Sequence, residues 1–197
     1  AFGWMMVVTY SIKFFDGLNG LVSGQVVIGG ILIALLSLTT PYYQPVVALM
    51  AAIVAGAYFG FLPHNFPQAK QFLGESGSLI AGFSLAFLSI VGGAKLATGL
   101  MALGFPLMDA VFVVIGRLAH GHSPFKGDDT HLHFKLLKAG LSQKQTVFLI
   151  WGLSAVTGVA ALGLQSIGKV ALVAWMVFAV LGLSAWAGWR SKHLAKV

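Results

Sequence analysis

Apolar runs closed at short intervals by polar breaks leave this chain few folds to choose from. Residues 25–40, 46–62, 78–93, 96–115, 146–163 and 170–189 are almost bare of charge. A helix that crosses a bilayer needs about 20 apolar residues, with a range of roughly 17–25. Residues 1–12 fall short of that and read as a truncated first helix. Only 9% of the residues are charged, against about 25% in a soluble domain. So few charges cannot cover a globule with polar surface, and the solvent must be lipid. The expectation is an all-α, polytopic integral membrane helical bundle, with about six full spans plus the truncated first helix, forming one domain over residues 1–197. With no Cys, disulfides and thiolate metal sites are excluded.

The breaks fall at about residues 13–24, 63–77 and 116–144, and a polar tail covers 190–197. Taken alternately along the chain, they sort the basic residues unevenly. One side holds Lys13, Lys70, Arg117, Lys126, Lys135, Lys138, Lys144, Arg190, Lys192 and Lys196; the other holds Lys95 and Lys169. The positive-inside rule puts the first side in the cytoplasm. All six His and every acid except Asp109 lie on that side too. The net charge of +7 is therefore a topology signal, and no nucleic-acid partner is expected. No repeat at fixed period supports an inverted-repeat transporter. The chain opens inside an apolar run, without Met or a charged leader, so we expect the C-terminal part of a longer protein.

Three breaks carry chemistry. Asp16-Gly17-Leu18-Asn19-Gly20 puts a carboxylate and an amide three residues apart, with glycines that let backbone approach a ligand. A plain Asx turn is the competing reading. The second break holds Asn65, Lys70, Phe72 and Glu75. If residues 68–77 are helical, Phe72 and Glu75 share a face, and an oxygen donor beside an aromatic suits magnesium or phosphate next to a stacking surface. A helix cap and an interfacial Phe compete with that. In the third break, His131 and His133 face the same way if extended and diverge if helical. Without further ligands they read as phosphate or proton partners before metal ligands. A basic loop meeting lipid headgroups competes for them and is preferred for His120, His122 and His193. Asp109, buried within a run, needs a partner, and Arg117 is the expected one.

At these residues the chain resembles the polyprenyl-phosphate N-acetylhexosamine-1-phosphate transferases, glycosyltransferase family 4. KFFDGLNGLVSG resembles the family's N-x-x-D-G-[LM]-D-G-L-A-x-G loop. HNFPQAKQFLGESGS resembles N-x-x-P-A-x-x-F-M-G-D-x-G-S. PLMDAVFVVIGRLAHGHSPFKGDDTHLHFKLLKAGLSQKQ resembles the family's P-x-x-D stretch, which continues into S-P-F and H-L-H-H. Lys13, Asn19, Glu75, Gly116 and Phe134 depart from those patterns, and the family's paired-aspartate loop has no counterpart in these residues. The likeness is nearer to the UDP-N-acetylglucosamine branch than to the phospho-N-acetylmuramoyl-pentapeptide transferase branch.

The resemblance implies transfer of a sugar 1-phosphate from a UDP-sugar to a polyprenyl phosphate, with release of UMP, at the cytoplasmic face of a bacterial inner membrane. It implies that Asp16 and Asn19 line the nucleoside pocket with Asn65, that Phe72 stacks on uracil and that Glu75 binds Mg²⁺, Mn²⁺ being admissible. His131 and His133, with Arg117, would hold phosphates, so Asp16, His131 and His133 are the candidate catalytic set. Asp128 also matches a motif position, without a role. A second copy of the chain is a candidate partner. Lacking the paired-aspartate loop, residues 1–197 alone are expected to be inactive. The competing classes are an inactive membrane scaffold and a transporter built on Asp109.

Overall fold

The computed structural model describes residues 1–39, 43–92, 103–121, 123, 130–164 and 166–194. Every described element is an α-helix: α1 (Phe2–Phe15), α2 (Leu21–Ser37), α3 (Pro45–Asn65), α4 (Gly74–Val91), α5 (Gly104–Ala119), α6 (Leu132–Lys138), α7 (Gln143–Gly163) and α8 (Ser166–Leu194). In lipid a segment has no water to satisfy its amides, so a helix that bonds them internally is the form these sequences can take. The chain is an all-α polytopic membrane protein.

Among the described residues, α3, α4, α7 and residues 167–194 of α8 are long and apolar enough to cross a bilayer, while α1 and α2 are apolar but shorter. This is fewer than the six full spans expected. The run at 96–115 lies partly outside the described residues, and its described part is α5, which carries Asp109 and Arg117. At about 1.5 Å per residue, the 29 residues of α8 reach about 43 Å, against roughly 30 Å of hydrocarbon. Exposed side chains such as Val46, Leu49, Ile53 and Phe59 on α3, and Val170 and Phe178 on α8, are the lipid-facing surface.

The helices reach further into the breaks than composition indicates. The first break is residues 16–20, since α1 carries Lys13 in its last turn and α2 starts at Leu21. The second is residues 66–73, because α3 runs through Pro63 to Asn65. The tail continues α8 to Leu194. A polar residue at a helix end has the same composition as one in a loop, and only backbone bonding separates them.

Small residues set the packing. α2 lies broadly on α3 and α1 on α4. A Cβ on Gly30 would sit 2.9 Å from that of Ala55, and one on Gly82 would sit 2.7 Å from the Thr9 Cα. Such close backbones are how helices associate where lipid removes the hydrophobic driving force. Trp151 of α7 covers Gly24 and donates from Nε1 to the Leu21 carbonyl at 3.1 Å, which fixes α7 against the start of α2. A capping box starts α7: Ser142 Oγ accepts from the Gln145 amide and Gln145 Oε1 accepts from the Ser142 amide. Past the end of α6, Gly140 turns the chain with φ +91°, and its amide donates to the Leu137 carbonyl and the Leu141 amide to the Leu136 carbonyl.

One end of the bundle collects the breaks. Lys13 at the end of α1 pairs with Glu75 at the start of α4. Asn65 at the end of α3 bonds Gly20. His131 before α6 stacks on Phe14 of α1, and Gly140 lies against Leu194 at the end of α8.

Candidate functional site

The floor of the site is a tie between two breaks. Gly20 turns the chain into α2 with φ +79°, and a Cβ there would fall 2.5 Å from Phe66, so glycine is required on both counts. The buried Asn65 side chain holds this turn. Its Oδ1 accepts from the Gly20 amide at 2.9 Å and from Ser23 Oγ at 2.8 Å, and its Nδ2 donates to the Gln71 carbonyl at 3.0 Å. Both Oδ1 lone pairs are used. Asn65 also lines the cleft above this floor, and its amide holds the two loops together.

Above this floor is a cleft of about 440 Å³. Asp16, Asn19, Asn65, Phe72 and Glu75, five of the residues singled out from sequence, all line it, together with Lys13 and Ser78. Phe72 precedes α4, so it does not share a helical face with Glu75 as a helix over 68–77 would require. The loop brings them together instead. Phe72 is 76% exposed, an open aromatic face at the rim.

Asp16 is half-buried, and desolvation pushes its carboxyl up to about 6, with the nearby Ser78 hydroxyl acting in the opposite direction. That hydroxyl has one proton, placed to go to the Glu75 carbonyl at 3.0 Å or to Asp16. Across the cleft, Lys13 bonds Glu75. Sequence reasoning treated Lys13 only as a topology charge and a departure from the loop pattern, and it missed Ser78. The signal for Ser78 was its place after Gly77 at the start of an apolar run.

Among the described residues no group of three His, Asp or Glu could hold a metal ion. The cleft does offer the Asp16 and Glu75 carboxylates. That donor set fits Mg²⁺, which keeps several waters and takes one or two carboxylates plus substrate phosphates. Desolvation raises Asp16, and a cation bound there would favour its charged form.

Behind the cleft stands a histidine pair. Asp109 Oδ2 meets His131 Nδ1 at 2.8 Å, and Oδ1 accepts from the Leu132 amide at 2.8 Å. A carboxylate from α5 thus caps the N-terminus of α6. These bonds to His131 and Leu132 form because the chain folds back to place α6 over Asp109. His131 sits outside the first turn with extended backbone and His133 inside it, and their rings stack at 5.6 Å and 14°. His133 also meets Phe15 edge-on at 5.5 Å. It is fully buried with neither ring nitrogen bonded, and burial pushes its pKa down to about 4, so the ring is neutral. Its Nε2 lies against Gly17, the residue after Asp16.

Arg117 is not brought to the cleft. It lines a second cavity with His120 and Lys135. His122, Asp128 and the Ser-Pro-Phe of the third motif lie outside the described residues.

A family model described as glycosyl transferase family 4 matches residues 1–93. A probable undecaprenyl-phosphate N-acetylglucosaminyl 1-phosphate transferase of Bacillus subtilis is 32% identical over 169 residues, covering 83% of this chain and 47% of its own. A decaprenyl-phosphate N-acetylglucosaminephosphotransferase of Mycobacterium leprae is 32% identical over 166 residues, covering 72% and 41%. A phospho-N-acetylmuramoyl-pentapeptide-transferase of Staphylococcus saprophyticus is 30% identical over 165 residues, covering 81% and 49%. The chain spans about half the length of the curated relatives it matches.

Proposed function

The chain belongs to glycosyl transferase family 4 over residues 1–93, and from that premise we propose that the full-length protein transfers N-acetylglucosamine 1-phosphate from UDP-N-acetylglucosamine to a polyprenyl phosphate. An oxygen of the lipid phosphate forms a bond to the sugar-bearing phosphorus. The bond from that phosphorus to the bridging oxygen breaks, and UMP leaves. The observation that carries the reading is the single cleft that collects Asp16, Asn19, Asn65, Phe72 and Glu75 from two separate breaks.

In this reading Phe72 stacks on uracil and Asn19 bonds the nucleoside. Asn65 keeps the floor in register, as its bonds to Gly20 and Gln71 support. Asp16 and Glu75 would hold Mg²⁺, which when bound would supply positive charge against the two phosphates. Lys13 occupies Glu75 until it is displaced. His131, oriented by Asp109, and the neutral His133 form the wall behind Asp16 and restrict water there. The bundle sits in the bacterial inner membrane with this end in the cytoplasm, which agrees with ten of twelve basic residues falling on that side.

The relatives named for pentapeptide transfer define the second reading, phospho-N-acetylmuramoyl-pentapeptide as the donor group. UMP release by the full-length protein with undecaprenyl phosphate and each UDP-sugar separates the two. Release from UDP-N-acetylglucosamine is expected. Release from neither donor would sink both and favour an inactive scaffold.

A further inference from the structure

A second cavity, of about 590 Å³, opens between α5 and α8. α5 contributes Asp109, Phe112, Val113, Gly116 and Arg117, which recur at steps of three and four, with Ile115 beside them and His120 just past the helix end. α8 supplies Val180, Leu181 and Ser184, and α6 supplies Lys135. Polarity changes along the groove. Phe112, Val113, Val180 and Leu181 form the part within the bundle. Arg117, His120 and Lys135 gather at the end of α5, on the face where the breaks lie. Among the described lining residues the acid is Asp109, bonded to His131 and the Leu132 amide, and the cationic side chains are Arg117 and Lys135, with His120 beside them holding the Gly116 carbonyl through one ring nitrogen. The wall is open at Gly116, where a Cβ would meet nothing within 4 Å.

We infer that this groove binds an anionic glycerophospholipid of the surrounding bilayer. Its phosphate lies at Arg117, His120 and Lys135, and an acyl chain lies along Phe112, Val113, Val180 and Leu181. The charge at the mouth matches a phosphodiester, and basic groups at the membrane surface attract anionic lipid. A free phosphate would leave the apolar part unfilled. The acceptor lipid of the proposed transfer fits less well. The groove and the cleft share no lining residue, and the His131–His133 pair fills the interval between Asp109 and Gly17. A reacting phosphate must come within about 3–3.5 Å of its target, and one held here stands behind that pair. The inference goes beyond the transferase reading and does not depend on it.

Native mass spectrometry of the full-length protein, titrated with phosphatidylglycerol or phosphatidylcholine, tests it. The wild type is expected to retain one phosphatidylglycerol in preference to phosphatidylcholine. His120→Gln/Lys135→Gln should weaken that retention by about tenfold or more, the size expected for lost charge-assisted bonds. Lys135→Arg should keep it. Gly116→Phe, which removes no charge and fills the groove, should weaken it as well. Equal retention in the double variant and in Gly116→Phe overturns the proposal. One-for-one displacement of phosphatidylglycerol by undecaprenyl phosphate also overturns it and assigns the groove to the acceptor. UMP release is not part of the readout, so failure of the transferase reading leaves the result interpretable.

Discussion

His133 occupies the space that a side chain on residue 17 would need: a Cβ on Gly17 would fall 2.3 Å from His133 Nε2. The third break, more than a hundred residues later, thus forms the back of the loop that carries Asp16. The ring cannot easily yield, because Phe15, His131 and Phe134 pack around it.

Gly17→Ala should therefore act as an overpacking change and cost roughly 1–3 kcal/mol. His133→Ala removes the obstacle, so the double variant should lose less than the two single losses added together. Thermal unfolding in detergent measures the cycle. Strict additivity would show that the contact is absent in the working protein.

Asn65 offers a graded test. Asn65→Ala strands the Gly20 amide and the Ser23 hydroxyl, and should cost roughly 2–4 kcal/mol. Asn65→Asp keeps the acceptor and loses the donor to Gln71, so its cost should be smaller. If Asn65 acts mainly by tying the loops, both variants raise KM for the UDP-sugar in the same order as they lower the unfolding midpoint. A large KM effect with unchanged stability would assign Asn65 to direct substrate contact.

Acid should destabilise the fold through His133. The unfolded imidazole titrates near 6.5 and the buried one near 4. Below 6.5 the unfolded chain takes up a proton that the native ring refuses. Stability that is complete above pH 6.5 is therefore lost as pH falls toward 4, by roughly 3 kcal/mol in all. His133→Gln should flatten that part of the pH–stability curve. An unchanged slope in the variant would locate the acid sensitivity elsewhere.

Asp16 predicts an acid limb in activity. Its carboxyl titrates near 6, so UMP release at low Mg²⁺ should fall as pH drops through about 6. If Asp16 holds the ion, saturating Mg²⁺ moves that limb to lower pH. A limb that ignores Mg²⁺ would separate Asp16 from the metal.

Lys13 and Glu75 should show opposite signs. Their pair lies at the surface, where such bridges add little stability, so either Ala variant leaves the unfolding midpoint nearly unchanged. Lys13→Ala should lower the Mg²⁺ concentration needed for half-maximal UMP release, since it removes a competing cation. Glu75→Ala should raise it. A rise in both would make Lys13 a supporting residue instead of a competitor.

Much of this was legible in the sequence, for physical reasons. Lipid-length apolar runs dictate helices whatever their neighbours do, and the uneven basic residues indicate which ends share a face. Asp16, Asn19, Asn65, Phe72 and Glu75 stood out because they fall on the two loop motifs that carry the family resemblance. Contacts across long separations were not legible. Nothing in the local pattern near Asp109 says that α6 will return over it and that His131 and the Leu132 amide will bond its carboxylate. Nor does composition show that Lys13 belongs to a helix and faces Glu75, 62 residues away.

The Asn65 tie also bears on how the protein is made. Its three bonds join residues 20, 23, 65 and 71, and α1 meets α4 outside the α2–α3 hairpin. The cleft therefore cannot take shape from α1 and α2 without the end of α3 and the start of α4. It needs the start of α4, and its rear wall needs α6, more than fifty residues further along the chain. A chain cut before α6 would keep the residues that line the cleft and lose the ring behind Gly17.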